Sequence, residues 1–244
     1  MAKPRKLREI PEQRAARAAS LLATLRELYP DANCALRHGS AYELLVATIL
    51  SAQCTDERVN RVTPAFFDRF PDARALASAD PDEVEALIRS TGFFRNKTRS
   101  LIGMAQAVCA KHGGEIPDSM EALLELPGVA RKTANCVLGT WFRRNEGVVV
   151  DTHVGRLATR LGLLTNSRSA KDAVRIEREL MTLFPRESWT YLSHALILHG
   201  RGVCAARRPR CEACALSDRC PSSDAPQTPN PGVRPGARSS RAEL

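Results

Sequence analysis

Apolar residues three and four positions apart recur in segment after segment of this chain, each bounded by a helix-starting or helix-ending signal. Leu21, Leu22, Leu25 and Leu28 form one stripe between Pro11 and Tyr29, and Pro30 ends it. Ser40-Ala41-Tyr42-Glu43 has capping-box spacing and opens an apolar helix through Leu50. A helix fits Thr55 to Arg69, with Pro71 beyond it. Asp80-Pro81-Asp82-Glu83 is a further start, with Gly92 as its stop. Asn96 to Lys111 puts Leu101, Ile102, Ala105 and Val108 on one face before Gly113-Gly114, and Asp118-Ser119-Met120-Glu121 begins the next helix. Helices also fit Thr152 to Leu161, Ser169 to Phe184 and Arg186 to His199. With roughly ten helical stripes and no hairpin signal, the expected fold class is all-α.

The stretch Leu123-Leu124-Glu125-Leu126-Pro127-Gly128-Val129-Ala130-Arg131-Lys132-Thr133-Ala134-Asn135 reads as helix, Pro-Gly turn and second helix, running to about Phe142. The N–H groups at that second start have no partner within the helix. They form a site for an anion such as a DNA phosphate. Lys132 lies in the first turn beside it. Asp151 follows 19 residues later, after the apolar Val148-Val149-Val150 and before Thr152-His153, where another helix begins. An amine nucleophile and a carboxylate beside a phosphate cradle point to chemistry at a sugar C1′. Read singly, Asp151 is an N-cap and Lys132 a solvated surface residue. Of 36 basic residues only 6 are Lys. Arg cannot form a Schiff base, so a Lys at this turn in so Arg-rich a chain favours covalent work.

A net charge of +9 and a pI near 9.5 call for an acidic partner, with nucleic acid foremost. No apolar run approaches a bilayer span, which excludes a membrane-spanning class. Residues 1–11 read as a basic, disordered arm with no secretory pattern after it, and the expected compartment is the cytoplasm. From residue 222 to 244 the chain is rich in Pro, Ser, Gly and Arg without an apolar stripe, and reads as a disordered tail.

Eight cysteines divide into two groups. Cys34, Cys54, Cys109 and Cys136 are scattered through apolar helical patterns and read as buried, reduced and structural. Cys204, Cys211, Cys214 and Cys220 fall within 17 residues as C-x6-C-x2-C-x5-C. Four thiolates so close repel one another unless a cation gathers them. Zinc sites of this type pair two C-x2-C knuckles, whereas only one occurs here, so a [4Fe–4S] cluster is favoured over zinc, and zinc over free thiols. Arg201, Arg207, Arg208, Arg210 and Arg219 surround the loop and suit cluster charge or DNA phosphates.

The helix-hairpin-helix LPGVARKTA, the VDTH segment and the loop ILHGRGVC…C..C…..C, in this order, resemble the endonuclease III family of DNA glycosylases from roughly Arg14 to Cys220. The resemblance implies a two-lobed helix-hairpin-helix glycosylase fold with a DNA-binding cleft between the lobes. One lobe is a six-helix barrel over residues 35–147. The other joins the N-terminal helix, 12–34, to the iron–sulfur lobe, 148–221. It implies that Lys132 attacks C1′ of a flipped nucleotide and forms a Schiff base, that Asp151 assists, and that β-elimination nicks the strand 3′ to the lesion. The implied partner is double-stranded DNA bearing oxidised pyrimidines or abasic sites, bound by a monomer. Cys204, Cys211, Cys214 and Cys220 are the implied ligands of a [4Fe–4S] cluster. Gln53 and Phe93 match positions that fill the gap left by the flipped nucleotide, against ordinary core packing for Phe93 and Phe94. Leu126, Gly128, Ala130, Thr133 and His153 are the further implied DNA contacts.

One residue departs from the family pattern: Ala130 stands where the hairpin normally has its second Gly. A positive φ there would strain the turn, and a close phosphate would meet an extra methyl. Two other readings compete. An iron–sulfur adenine glycosylase shares the hairpin, the Asp and the cluster, but typically lacks the Lys and carries a further recognition domain. A non-catalytic DNA-binding protein on the same scaffold has no need of Lys132 and Asp151 together.

Overall fold

The structure is a computed structural model that describes residues 9–165 and 172–225. The expected arm up to residue 8, the expected helix start at Ser169 and the expected tail from residue 226 lie outside the described residues. Among the described residues there are eleven α-helices, four short 3-10 turns and no strand. In chain order the helices are α1 (Pro11–Leu28), α2 (Ala41–Leu50), α3 (Asp56–Arg69), α4 (Ala73–Ala77), α5 (Pro81–Ile88), α6 (Phe94–His112), α7 (Met120–Leu124), α8 (Arg131–Thr140), α9 (Thr152–Arg160), α10 (Ala173–Leu183) and α11 (Trp189–Gly202).

Local chemistry sets most of these boundaries. Side-chain oxygens of Ser40, Thr55, Asp80, Ser119, Asp151 and Asp172 each accept a backbone N–H two or three residues on. The Glu43 carboxylate takes the N–H of Gly39, one residue before the cap. Asp72 caps the five-residue α4, which is too short to display a stripe. The helix expected from Asn96 begins at Phe94, because Phe93 itself sits in the left-handed region at φ 49°. The second hairpin helix stops at Thr140, short of Phe142.

Two hydrophobic cores result. The first runs from Leu36 to Leu138 and is centred on α2, α3, α5, α6 and α8, with Phe66, Leu101 and Met104 fully buried. The second joins Leu21, Leu22 and Leu25 of α1 to Val148, Leu157, Ile176, Leu180, Leu192 and Leu216. The chain therefore starts in the second core, builds the first, and returns at Val148–Val150. Truncating a buried Leu in either core costs about 2–5 kcal/mol. Polar links tie the two together: Arg131 and Asn135 of α8 both donate to the buried Glu177 of α10. No described helix is long and apolar enough to cross a membrane.

Candidate active site

The hairpin between α7 and α8 depends on two residues doing different work. Gly128 has φ 77°, and a Cβ there would stand 2.6 Å from Ser100 Cβ, so both backbone and packing require glycine. Leu126 is 3% exposed and belongs to the first core. Its side chain therefore anchors the turn, which leaves only its backbone for the DNA contact expected of it. Ala130 has φ −95° and ψ 168°, ordinary extended backbone, so the strain feared at this position is absent. No side chain caps α8. Its first N–H groups are left for solvent or a ligand, next to Lys132 and Thr133.

Lys132 and Asp151 line the same cleft between the two cores, a hollow of about 240 Å³. An adjoining hollow shares both residues and adds His153. Asp151 caps α9: its Oδ1 accepts the N–H groups of His153 and Val154, each at 2.8 Å. Oδ2 accepts no hydrogen bond among the described residues, so the cap consumes only one carboxylate oxygen. The half-buried His153 ring packs its Nδ1 3.0 Å from Arg156 Nη2, and burial lowers its pKa.

Several residues of this cleft carry no local signal in the sequence. Arg201 of α11 reaches Asp56 of α3 at 2.8 Å, pairing across the cleft between residues 145 positions apart. His194 lines the wall with its pKa pushed down to about 4 by burial. Cys136 is buried, and Cys34, Cys54 and Cys109 pack against the first core, as expected. Cys34 and Cys136 also meet in this cleft, with a hydrogen bond between their thiols.

Gln53 and Phe93 line one further hollow together with Gly128. Both are non-glycine residues at positive φ, 54° and 49°, and Phe93 is 62% exposed. Such strain collects where a side chain must be aimed. Phe94 takes the packing role, half-buried on the first core between Arg89 and Arg95. Lys97, a second amine near this hollow, is committed: its Nζ donates to the carbonyls of Leu50 and Thr91, both at 2.8 Å.

Cys204, Cys211, Cys214 and Cys220 all line one small hollow of about 30 Å³ beneath α9 and α11. Burial raises the thiols of Cys214 and Cys220, the latter to about 11, and the neighbouring cysteines push both further up. The set is poorly suited to four bare thiolates and well suited to sharing a cationic group. Among the described residues no three His, Cys, Asp or Glu side chains gather round a single-ion position. Arg160, at the end of α9, donates to Cys204 Sγ at 3.2 Å and to the carbonyls of Ala205 and Ala206. His199 Nε2 lies 3.4 Å from Cys214 Sγ. Of the arginines expected around the loop, Arg219 bonds Ser20 of α1 and Arg210 bonds the Gly202 carbonyl, so both brace the loop.

A family model described as HhH-GPD superfamily base excision DNA repair protein matches residues 46–186. An endonuclease III from Synechocystis sp. is 55% identical over 209 residues, spanning 86% of this chain and 94% of the relative. The Escherichia coli endonuclease III is 36% identical over 205 residues, 84% of this chain and 95% of the relative. A solved endonuclease III–DNA covalent intermediate, trapped as an estranged-adenine complex, matches with a TM-score of 0.80 at 36% identity. That match covers 86% of this chain and 96% of the solved one.

Proposed function

The chain belongs to the endonuclease III family of the HhH-GPD superfamily of base excision DNA repair proteins, and from that membership we propose how its own residues act. The protein is a bifunctional DNA glycosylase and abasic-site lyase for oxidised pyrimidines. A damaged base inside a duplex hides its C1′, so the nucleotide must leave the stack at a cost of a few kcal/mol. Gln53 and Phe93 fill the gap left behind. Phosphates of the bound strand rest on the open start of α8, where Gly128 lets the backbone approach and Ala130 and Thr133 flank the N–H groups.

The neutral amine of Lys132 adds to C1′ as the bond from C1′ to the base nitrogen breaks, and the electron pair leaves with the base. Asp151 assists the attack and offsets the positive charge that develops on the sugar. Loss of the nitrogen-bound proton and opening of the sugar ring give an imine. Removal of a C2′ proton then expels the 3′ phosphate oxygen and nicks the strand. What supports this reading is the shared cleft of Lys132 and Asp151, one at each of two helix starts.

Cys204, Cys211, Cys214 and Cys220 would hold a [4Fe–4S] cluster, which would brace the loop carrying Arg207 and Arg208. The two cores act as the two lobes, 35–147 and 12–34 with 148–221. The protein works as a monomer on double-stranded DNA in the cytoplasm.

Borohydride tests the nucleophile. Wild-type protein with abasic DNA and borohydride should run as one covalent species on a denaturing gel, and Lys132→Gln should remove it while DNA binding persists. Lys132→Arg keeps the charge but cannot form the imine. Equal trapping by Lys132→Arg would assign the chemistry to another amine. Lys97 is a poor substitute, being held by two carbonyls. For the loop, anaerobically purified protein should carry about four irons and as much inorganic sulfide per chain. Stoichiometric zinc with neither would overturn the assignment.

A further inference from the structure

The floor of the cleft contains chemistry that base excision does not use. Cys136 follows Lys132 by four positions on α8, which puts its thiol one turn below the amine on the same helix face. Thr140 and the thiol of Cys34 hydrogen-bond to its sulfur, and Thr48 Oγ1 stands 3.9 Å away while donating to the Leu44 carbonyl at 2.7 Å. Cys34 arrives from the segment between α1 and α2, 102 positions away in sequence. Its own N–H is held by Asn33 Oδ1 at 2.8 Å. Both cysteines are free, and both line the opening that Lys132 and Asp151 share.

We propose that Cys34 and Cys136 are a peroxide-sensitive dithiol whose closure to a disulfide reversibly disables the cleft. This goes beyond the glycosylase reading and rests on it only for its effect on activity. Reactive cysteines need thiolate character, access and a resolving partner. Cys136 has the first: the Cys34 hydrogen bond, and after it Thr48, Thr140 and the positive charge of Lys132 one turn away, favour its thiolate against burial. Cys34 is the resolving partner: its thiol hydrogen-bonds to the Cys136 sulfur and lines the same cleft. The cleft gives access to a molecule as small as hydrogen peroxide.

The steps balance without any other reactant. The Cys136 thiolate attacks one oxygen of a hydroperoxide, the O–O bond breaks, and the departing oxygen takes up a proton. Cys136 is then a sulfenic acid. Cys34 gives up its proton and attacks that sulfur, hydroxide leaves and becomes water, and the S–S bond forms. Two thiols lose two electrons and two protons in all, and the peroxide takes both. A disulfide holds its sulfurs about 2.0 Å apart, well inside hydrogen-bonding distance for thiols. Closure therefore draws the Cys34 segment against α8 directly under Lys132. A displacement of about 1 Å at a reacting group costs on the order of 100-fold in rate.

Metal-replete protein is exposed to hydrogen peroxide, and one portion is then treated with dithiothreitol. Peptide mass mapping, imine trapping with borohydride and the visible absorbance of the metal centre are read on every portion. The expected result is a linked Cys34–Cys136 peptide, at least a tenfold loss of trapping, and recovery with dithiothreitol. Cys34→Ser should instead carry Cys136 on to the sulfinic acid, with a loss that dithiothreitol does not reverse. Cys136→Val should lose trapping only as far as the metal-centre absorbance falls. Absence of the linked peptide in wild type overturns the proposal, as does equal, absorbance-matched inactivation of wild type and Cys136→Val. The linked peptide is read without DNA, so an error in the catalytic reading leaves that readout intact.

Discussion

Two helices begin on the same cleft, and they begin differently. The residue before α9 is Asp151 and the residue before α8 is Ala130, yet both have the same extended backbone, φ −106°, ψ −171° and φ −95°, ψ 168°. The difference is therefore the side chain alone. Asp151 satisfies two N–H groups of α9 with one oxygen and brings a negative charge to the wall. Ala130 satisfies none, and α8 keeps its donors for something else. Helix starts attract anions of either kind, a carboxylate from the chain or a phosphate from a ligand. One start is occupied from within, and the other is left open beside Lys132, the only lysine of the cleft wall among the described residues. The contrast sorts the site into a part that binds and a part that reacts.

Asp151→Asn tests the contrast where the expected effect is largest. Asn caps as well as Asp, so the stability of α9 should hold, with a melting temperature within about 2 °C of wild type. The charge is lost, and single-turnover base release should fall on the order of 10²- to 10⁴-fold. Affinity for lesion DNA should stay level, since removing a negative charge near phosphates does not weaken binding. Full activity in this variant would reduce Asp151 to a cap and erase the distinction between the two helix starts.

Ala130→Asp converts the open start into the closed kind. An Asp here should accept the second or third N–H of α8 and stabilise the free protein by about 1 kcal/mol. The same carboxylate would sit where a phosphate is proposed to sit. Affinity for duplex DNA at fixed salt should drop about tenfold or more, with the largest part of the loss at low ionic strength. A gain in stability with no change in affinity would mean that phosphate rests elsewhere and that α8 is open for no binding purpose.

What the sequence made legible follows the range of the interaction involved. The caps at Ser40, Thr55, Asp80 and Ser119 are contacts over two or three residues, and their side chains announce them. α4 escaped because five residues show no periodicity and Pro71 reads as an ending. The hairpin motif led to Lys132, but not to the direction of Leu126, because a turn lined by apolar residues does not say which of them anchors it. Ala130 looked strained only by comparison with a glycine pattern, and its backbone is ordinary. The pairs that cross the cleft were out of reach. Asp56 with Arg201, Arg131 with Glu177 and Cys34 with Cys136 are joined by packing of distant segments, and no spacing rule connects them. Arg160 carries no local signal either, and it is a buried clamp on the cysteine loop.

The smallest expected effect is also the one that decides what Ala130 does. Ala130→Gly restores the residue typical of the hairpin, and two opposing terms act on stability. Glycine widens the unfolded ensemble, which costs about 0.4–1 kcal/mol where no strain is relieved. Glycine is also the better N-cap, because water reaches the exposed N–H groups more freely than past a methyl. At φ −95° there is no strain to relieve, so the net change should stay within about 0.5 kcal/mol. Gly128, two residues earlier, has no such freedom, with its positive φ and Ser100 against it. Affinity then isolates the methyl. A change within about twofold means that the phosphate is held by the N–H groups at a distance the methyl does not disturb. A gain of tenfold or more on removing the methyl would show that Ala130 stands in the phosphate's path, and that the open start of α8 is only partly open.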